Sequence, residues 1–128
     1  MREILFRAKR KDNGEWIYGN IFIPDYEDKP TEILIGTNVV RISYEVVPET
    51  VGEYTGLIDK NGTKIYDGDK VKYRNSIFEV RLYNGCWVIW NHKHAYEFEK
   101  YHYLSTYADL IEVIGNIHDN SELLKESE

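Results

Sequence analysis

The sequence predicts a mainly β protein built from antiparallel hairpins, and two observations lead to this fold class. Asn-Gly tolerates the positive φ angles of a two-residue hairpin turn, and it recurs at 13–14, 61–62 and 84–85, each time between segments of strand character. The chain also holds 11 Tyr, 3 Trp and 4 Phe in 128 residues, and aromatic side chains favour pleated sheets. We therefore expect only short helices, at 106–110 and 121–126.

The first hairpin is predicted to join a strand at 4–10 to a strand at 15–23. In the early strand Ile4, Phe6 and Ala8 share one face, because alternate residues of a strand point the same way. Further strands are predicted at 32–35, 39–47 and 111–117, where β-branched and other apolar residues cluster.

The hairpin around 84–85 has apolar residues on both faces of its returning strand. Phe78, Val80 and Leu82 point one way on the outgoing strand. On the returning strand Cys86, Val88 and Trp90 form one face, and we expect Cys86 to be a buried small hydrophobic residue. Trp87 and Ile89 form the other face and are predicted to be apolar surface left over from the core.

The stretch 54–71 combines the 61–62 turn with a Gly68-Asp69 pair that precedes an alternating strand. Gly68 permits a sharp turn, and Asp69 is able to bond nearby backbone. Val71 and Tyr73 are then expected in the core. This pattern is common in small SH3-like barrels. We expect one domain over 1–128, with an N-terminal β segment (1–52), a barrel-like unit (53–117) and a C-terminal helical tail (118–128).

Composition narrows the functional class. The net charge is −6, and residues 25–59 carry eight acidic against two basic side chains, whereas residues 60–81 carry six basic against three acidic. An acidic chain is a poor non-specific nucleic-acid binder. With one cysteine, Cys86, no intramolecular disulfide forms. The N-terminus has neither a signal peptide nor a membrane span, so we expect a cytoplasmic protein with no membrane partner.

No cluster of residues predicts catalysis, a metal or a cofactor. His92 and His94 share a face if the chain is extended there, but the segment has the character of a polar loop and no thiolate supports the pair. Asp67 and Asp69 flank a turn glycine, where Asp is expected for backbone bonding alone. The glycines of 56–68 do not form a phosphate-binding loop. We therefore expect a protein that is not an enzyme.

The aromatic residues admit two interpretations. Together with Trp87 and Trp90, the aromatic side chains between 96 and 107 are expected to form either a base-stacking platform or core packing combined with a contact between subunits. The acidic charge favours packing or the contact, and eighteen aromatic side chains exceed what one small core can bury. We therefore predict a homo-oligomer with a candidate interface at Trp87, Ile89, Tyr101 and Tyr103.

Three segments resemble the YopX family of phage and prophage proteins: MREILFRAKRKDNGEWIYG at the start, YTGLIDKNGTKIYDGDKV in the middle and VIGNIHDNSELL at the end. Ser121 stands where the family often has proline, and serine is an equally suitable helix start. The resemblance implies a small protein without an established activity, associated with oligomeric assemblies. Its signature falls on Tyr54, Gly56, Leu57, Asp59, Gly62, Ile65, Gly68, Asp69 and Val71, for which a structural role is expected.

The expected function is that of an uncharacterised phage or prophage accessory protein in the cytoplasm of a bacterial host. It is predicted to be non-enzymatic and to act through protein–protein interaction with itself or with a phage or host protein. The alternative is a nucleic-acid-binding module whose solvent-exposed basic strand face holds Lys70, Lys72 and Arg74.

Overall fold

The computed structural model describes residues 4–22, 32–36, 41–91 and 102–119, and every structural statement below concerns these residues. They form antiparallel sheets with one short α-helix, which confirms the predicted mainly β class. The chain divides into two compact units, residues 1–54 and residues 55–128. The helix expected at 121–126, the histidine pair and Tyr101 lie outside the described residues.

The first unit contains four strands, β1 (Phe6–Lys9), β2 (Trp16–Phe22), β3 (Glu32–Gly36) and β4 (Arg41–Glu45). They are neighbours in the order β4-β3-β2-β1, and the first residues of β5 (Gly52–Ile58) pair with β1. The predicted hairpin of β1 and β2 is confirmed, with Ala8 opposite Ile17. Ala8, Ile33 and Val46 form the core of this unit.

The second unit contains β6 (Lys64–Tyr66), β7 (Asp69–Tyr73), β8 (Ser76–Tyr83), β9 (Cys86–Trp90), β10 (His102–Tyr103) and β11 (Glu112–Asn116). Five of them form a sheet in the order β10-β9-β8-β7-β11. Helix α1 (Leu104–Tyr107) and a 3-10 turn (Ala108–Leu110) precede β11, so the helical segment predicted at 106–110 is confirmed and begins two residues earlier. The core is built from Ile65, Val71, Val80, Ile89, Leu104, Ala108 and Ile111.

The described strands do not close into a barrel, so the SH3-like label is not confirmed. In the five-stranded sheet β10 and β11 lie at opposite edges, and each pairs with one neighbour. Residues 59–63 bind the outer edge of β11, where Lys60 donates its amide to the carbonyl of Ile111 over 3.1 Å. Since that edge is already occupied, it is not available to close a ring with β10.

The face of β9 that packs against the core is the opposite of the predicted one. Val80 lies opposite Ile89 and Leu82 lies opposite Trp87, so Trp87 and Ile89 share the core face of β8. Ile89 is buried, and Trp87 packs partly buried against the core. The prediction of leftover surface is therefore wrong for Ile89, whereas Trp87 keeps part of its surface exposed. Cys86 lies on the opposite face and is exposed, so its predicted burial is also wrong.

Lys70 was predicted on a solvent face, and the structure contradicts this: the side chain is fully buried. The position of β7 between two neighbours does not by itself bury a side chain, because Lys72 is flanked by the same two strands and is exposed. Lys70 lies opposite Glu79 of β8 on one side and Gly115 of β11 on the other, where a bulge follows Val113. Alternation along β7 identifies the face that Lys70 shares with Lys72, but it does not predict that one is buried and the other exposed.

Candidate interaction surface

The signature turn, residues 59–63, is held by the carboxylate of Asp59. Oδ1 accepts hydrogen bonds from the amides of Asn61 and Thr63, at 2.8 and 2.9 Å. Oδ2 accepts the amide of Val113 in β11, at 2.9 Å. Both oxygens are thus used to fix the turn and to attach it to a strand more than fifty residues later, with Asp59 only 4% exposed.

These bonds set the acidity of Asp59. Burial alone raises the pKa of a carboxyl group, but the amides of Val113, Thr63 and Asn61 stabilise the charged form. The hydrogen bonds outweigh burial, and the pKa of Asp59 lies below its ordinary value. Asp59 is therefore an ionised acceptor for backbone amides, which is a structural role.

Gly68 and Asp69 fix a second corner of the same unit. Gly68 adopts a φ of +88°, donates its amide to the carbonyl of Val80 and accepts the amide of Ile117, both at 2.9 Å. Asp69 is buried, and its Oδ2 accepts the amide of Tyr66 at 2.7 Å. These contacts join the start of β7 to β8 and to the residues after β11.

The far end of the β8–β9 hairpin, residues 81–87, is named the arm. It begins where β8 extends beyond β7. The outermost residue pair between the two strands is Lys70 opposite Glu79, and β8 continues from there to Tyr83. The turn at its tip has positive φ at Asn84 (50°) and Gly85 (79°), as a two-residue hairpin of the primed type requires. Every arm residue except Trp87 is exposed.

The arm carries apolar or aromatic side chains on both sides. On the core side Leu82 is 56% exposed beside the half-buried Trp87. On the other side Tyr83 lies opposite Cys86, and Val88 is flanked by Arg81 and by Tyr103 of β10, which is 62% exposed. We call the set Arg81, Tyr83, Cys86 and Tyr103 the outer patch.

Arg81 supplies the only charge on the outer patch. Its described ion-pair partner is Glu79, with 4.0 Å between Nη1 and Oε1, which is beyond hydrogen-bond distance, and the Arg81 side chain is 47% exposed. The comparison with Arg10 in the first unit is informative. Arg10 lies over the ring of Tyr44 and binds Asp12 through Nε and Nη2, at 3.0 and 2.7 Å. Arg81 makes no such hydrogen bond to a described residue.

The predicted nucleic-acid face is not assembled as expected. Lys70 is buried, while Lys72 is exposed. Arg74 occupies the turn after β7 with a φ of 56°, and its guanidinium lies 5.2 Å from the ring centre of Tyr73. Two exposed cations therefore remain of the three.

A polar pocket lies in the first unit, between the turn after β1 and strand β4. Its volume is about 440 Å³, and it is lined by Arg10, Lys11, Asp12, Ser43, Tyr44 and Glu45. Asp12 already binds Arg10, and this bond lowers the pKa of Asp12 and raises that of Arg10.

Within the described part of the chain no three His, Cys, Asp or Glu side chains are placed to hold a metal ion.

Of the predicted interface residues, Ile89 is in the core, Trp87 is half-buried and Tyr103 is exposed. Sequence reasoning missed Arg81, Leu82 and Tyr83. A signal for them exists in the chain: the alternating strand after Gly68 ends at Arg74, and the next strand runs longer, from 76 to 83. The longer strand must extend beyond its partner.

Comparison with known proteins agrees with this fold. The crystal structure of protein EF1440 from Enterococcus faecalis is similar over 97% of this chain and 99% of that chain, with a TM-score of 0.59 and 23% sequence identity. No curated protein matches the sequence. None of the described helices is long and apolar enough to cross a membrane. The YopX protein family model matches residues 5–125, nearly the whole sequence, and the chain belongs to this family.

Proposed function

We propose that this protein is a non-enzymatic phage or prophage accessory protein that self-associates through the arm and acts by protein–protein interaction in the cytoplasm of its host. The observation that carries the proposal is the arm together with Tyr103 of the neighbouring β10: Leu82, Tyr83 and Tyr103 are exposed, and Arg81 makes no hydrogen bond to a described residue. Tyrosine and arginine are the side chains that most often anchor protein interfaces.

The energetics support a covered arm. Burying apolar area contributes about 25 cal/mol per Å², so the exposed parts of Leu82 and the two tyrosines represent roughly 1 to 2 kcal/mol each. The signature turn, in contrast, has its acceptors committed to backbone amides of the same unit. A partner gains more from the arm than from that turn.

The test is the molar mass in solution, by light scattering behind size exclusion at micromolar concentrations. We expect the wild type to exceed the 15.2 kDa of one chain. Leu82→Ser combined with Tyr103→Ser should give a monomer, whereas Ile58→Ser, which changes a similarly exposed side chain of β5, should not. A wild type that is monomeric at every concentration would contradict the proposal, and so would an arm variant that associates as the wild type does.

The second candidate is nucleic-acid binding, and it rests on the exposed Lys72 together with Arg74 in the adjacent turn. Its signature is binding of labelled single- or double-stranded DNA or RNA at low salt that weakens steeply as salt rises. Replacing Lys72 and Arg74 by Ala should weaken it further. No binding at low salt removes this candidate.

A further inference from the structure

Arg81 is the residue of the arm that indicates which chemical group a partner would present to it. Its side chain is 47% exposed, its guanidinium makes no hydrogen bond to a described residue, and it shares a sheet face with the exposed Tyr83 and, across Val88, with the exposed Tyr103. An arginine in this setting binds a carboxylate through two parallel N–H donors, and such charge-assisted bonds are the strongest that an interface forms. The outer patch is therefore a site for an acidic group.

The charge around the patch agrees with this. Residues 80–91 contain one charged side chain, Arg81, and no acid. Among the described residues, the carboxylate at ion-pair distance from Arg81 is Glu79, which is largely covered and lies opposite the buried Lys70. An acidic segment that approaches the outer patch thus meets a cation and two aromatic rings, and Glu79, the described acid at ion-pair distance from Arg81, has a side chain only 13% exposed.

The chain itself contains a suitable acidic segment. Residues 25–28 are Asp-Tyr-Glu-Asp, which place three carboxylates and one aromatic ring within four residues of an interval that carries a net charge of −6. We infer that the outer patch of one copy binds the 25–28 segment of a second copy, with Arg81 bonded to a carboxylate of that segment. This rests on the self-association proposed above and names the surfaces that meet.

A contact between two different surfaces has a consequence for assembly. If two copies exchange the contact reciprocally, they close a dimer; if each copy passes it to the next, they form a ring or a chain. Either way the contact is electrostatic, so raising the salt concentration should weaken association.

Charge reversal is the experiment. Arg81→Glu should weaken self-association about tenfold or more, and so should the triple change Asp25→Lys, Glu27→Lys and Asp28→Lys. A mixture of the two variants should associate again, since the reversed charges meet across one contact. Lys72→Glu, which reverses an exposed cation of the same sheet, is the matched control and should associate as the wild type does. Unfolding midpoints close to the wild type establish that each variant is folded.

The outcomes separate this inference from the proposal on which it rests. If the Leu82 and Tyr103 variant is monomeric but the triple change at 25–28 has no effect, the arm associates and the acidic segment is not its partner, which overturns the inference alone. If the mixed variants do not associate, the direct pairing is also overturned. A monomeric wild type overturns both.

Discussion

Two Asn-Gly turns of the second unit share a dipeptide and differ in everything around it. At 61–62 the carboxylate of Asp59 holds three amides, and Lys60 bonds to Ile111, so the turn is attached to β11. At 84–85 the turn ends an arm that extends beyond its neighbouring strand. The Asn-Gly dipeptide and the strand residues around it specify a hairpin in both places. The contacts beyond the hairpin decide whether it stabilises the fold or presents a surface.

Replacing Asp59 should have the largest effect. Asp59→Ala leaves the amides of Asn61, Thr63 and Val113 without their acceptor, and hydrogen bonds to a charged group contribute about 1.5 to 3 kcal/mol each. We expect the free energy of unfolding, measured with urea, to fall by about 3 to 5 kcal/mol. Asp109→Ala, which removes an exposed acid of the same unit, is the control and should change it by less than about 0.5 kcal/mol. A loss of less than 1 kcal/mol for Asp59→Ala would show that the turn is not attached as described.

The same bonds predict how stability depends on pH. Because the pKa of Asp59 is lower in the folded protein than its unfolded value of about 3.9, its contribution is fully present above that value. It is lost as the pH falls from about 4 through the lower folded pKa. The unfolding free energy of Asp59→Asn should therefore decline less than that of the wild type over this range. Parallel declines would contradict the assignment.

Glycine substitutions give a smaller effect that should be equal at the two turns. Gly62 and Gly85 have φ angles of +83° and +79°, and an added Cβ meets no atom within 4 Å at either position. The added Cβ then destabilises only the left-handed backbone conformation, so the free energy of unfolding should fall by about 1 to 2 kcal/mol for Gly62→Ala and by the same amount for Gly85→Ala. Their urea midpoints should agree, and a much larger loss at one turn would indicate a contact that the structure does not contain.

The sequence predicted the local elements of this fold better than their environment. All three Asn-Gly pairs lie in turns, and alternation identified which residues of β8 and β9 share a face. It did not identify which face of β9 meets the core, because that depends on Val80 lying opposite Ile89. It also did not identify the burial of Lys70, which shares a face of β7 with the exposed Lys72.

The candidate site shows the same limit. Tyr103 was identified from its residue type, whereas Arg81 and Leu82 belong to the arm only because β7 stops short of them. A barrel was expected because Gly68-Asp69 and the following hairpin are typical of one. Whether the five-stranded sheet closes into a barrel depends on its two edge strands, β10 and β11, and no local sequence pattern specifies whether these edges pair.

The most direct test of the arm as an interaction surface uses Cys86, the single cysteine of the chain, which is exposed within the outer patch. The measurement is the rate at which a small thiol reagent in excess labels Cys86 as the protein concentration rises from nanomolar to tens of micromolar. If the arm is covered by a second copy, the labelling rate should fall as association proceeds and should remain high in the Leu82→Ser, Tyr103→Ser variant. A rate that is independent of protein concentration, in samples that light scattering shows to be associated, would contradict the account.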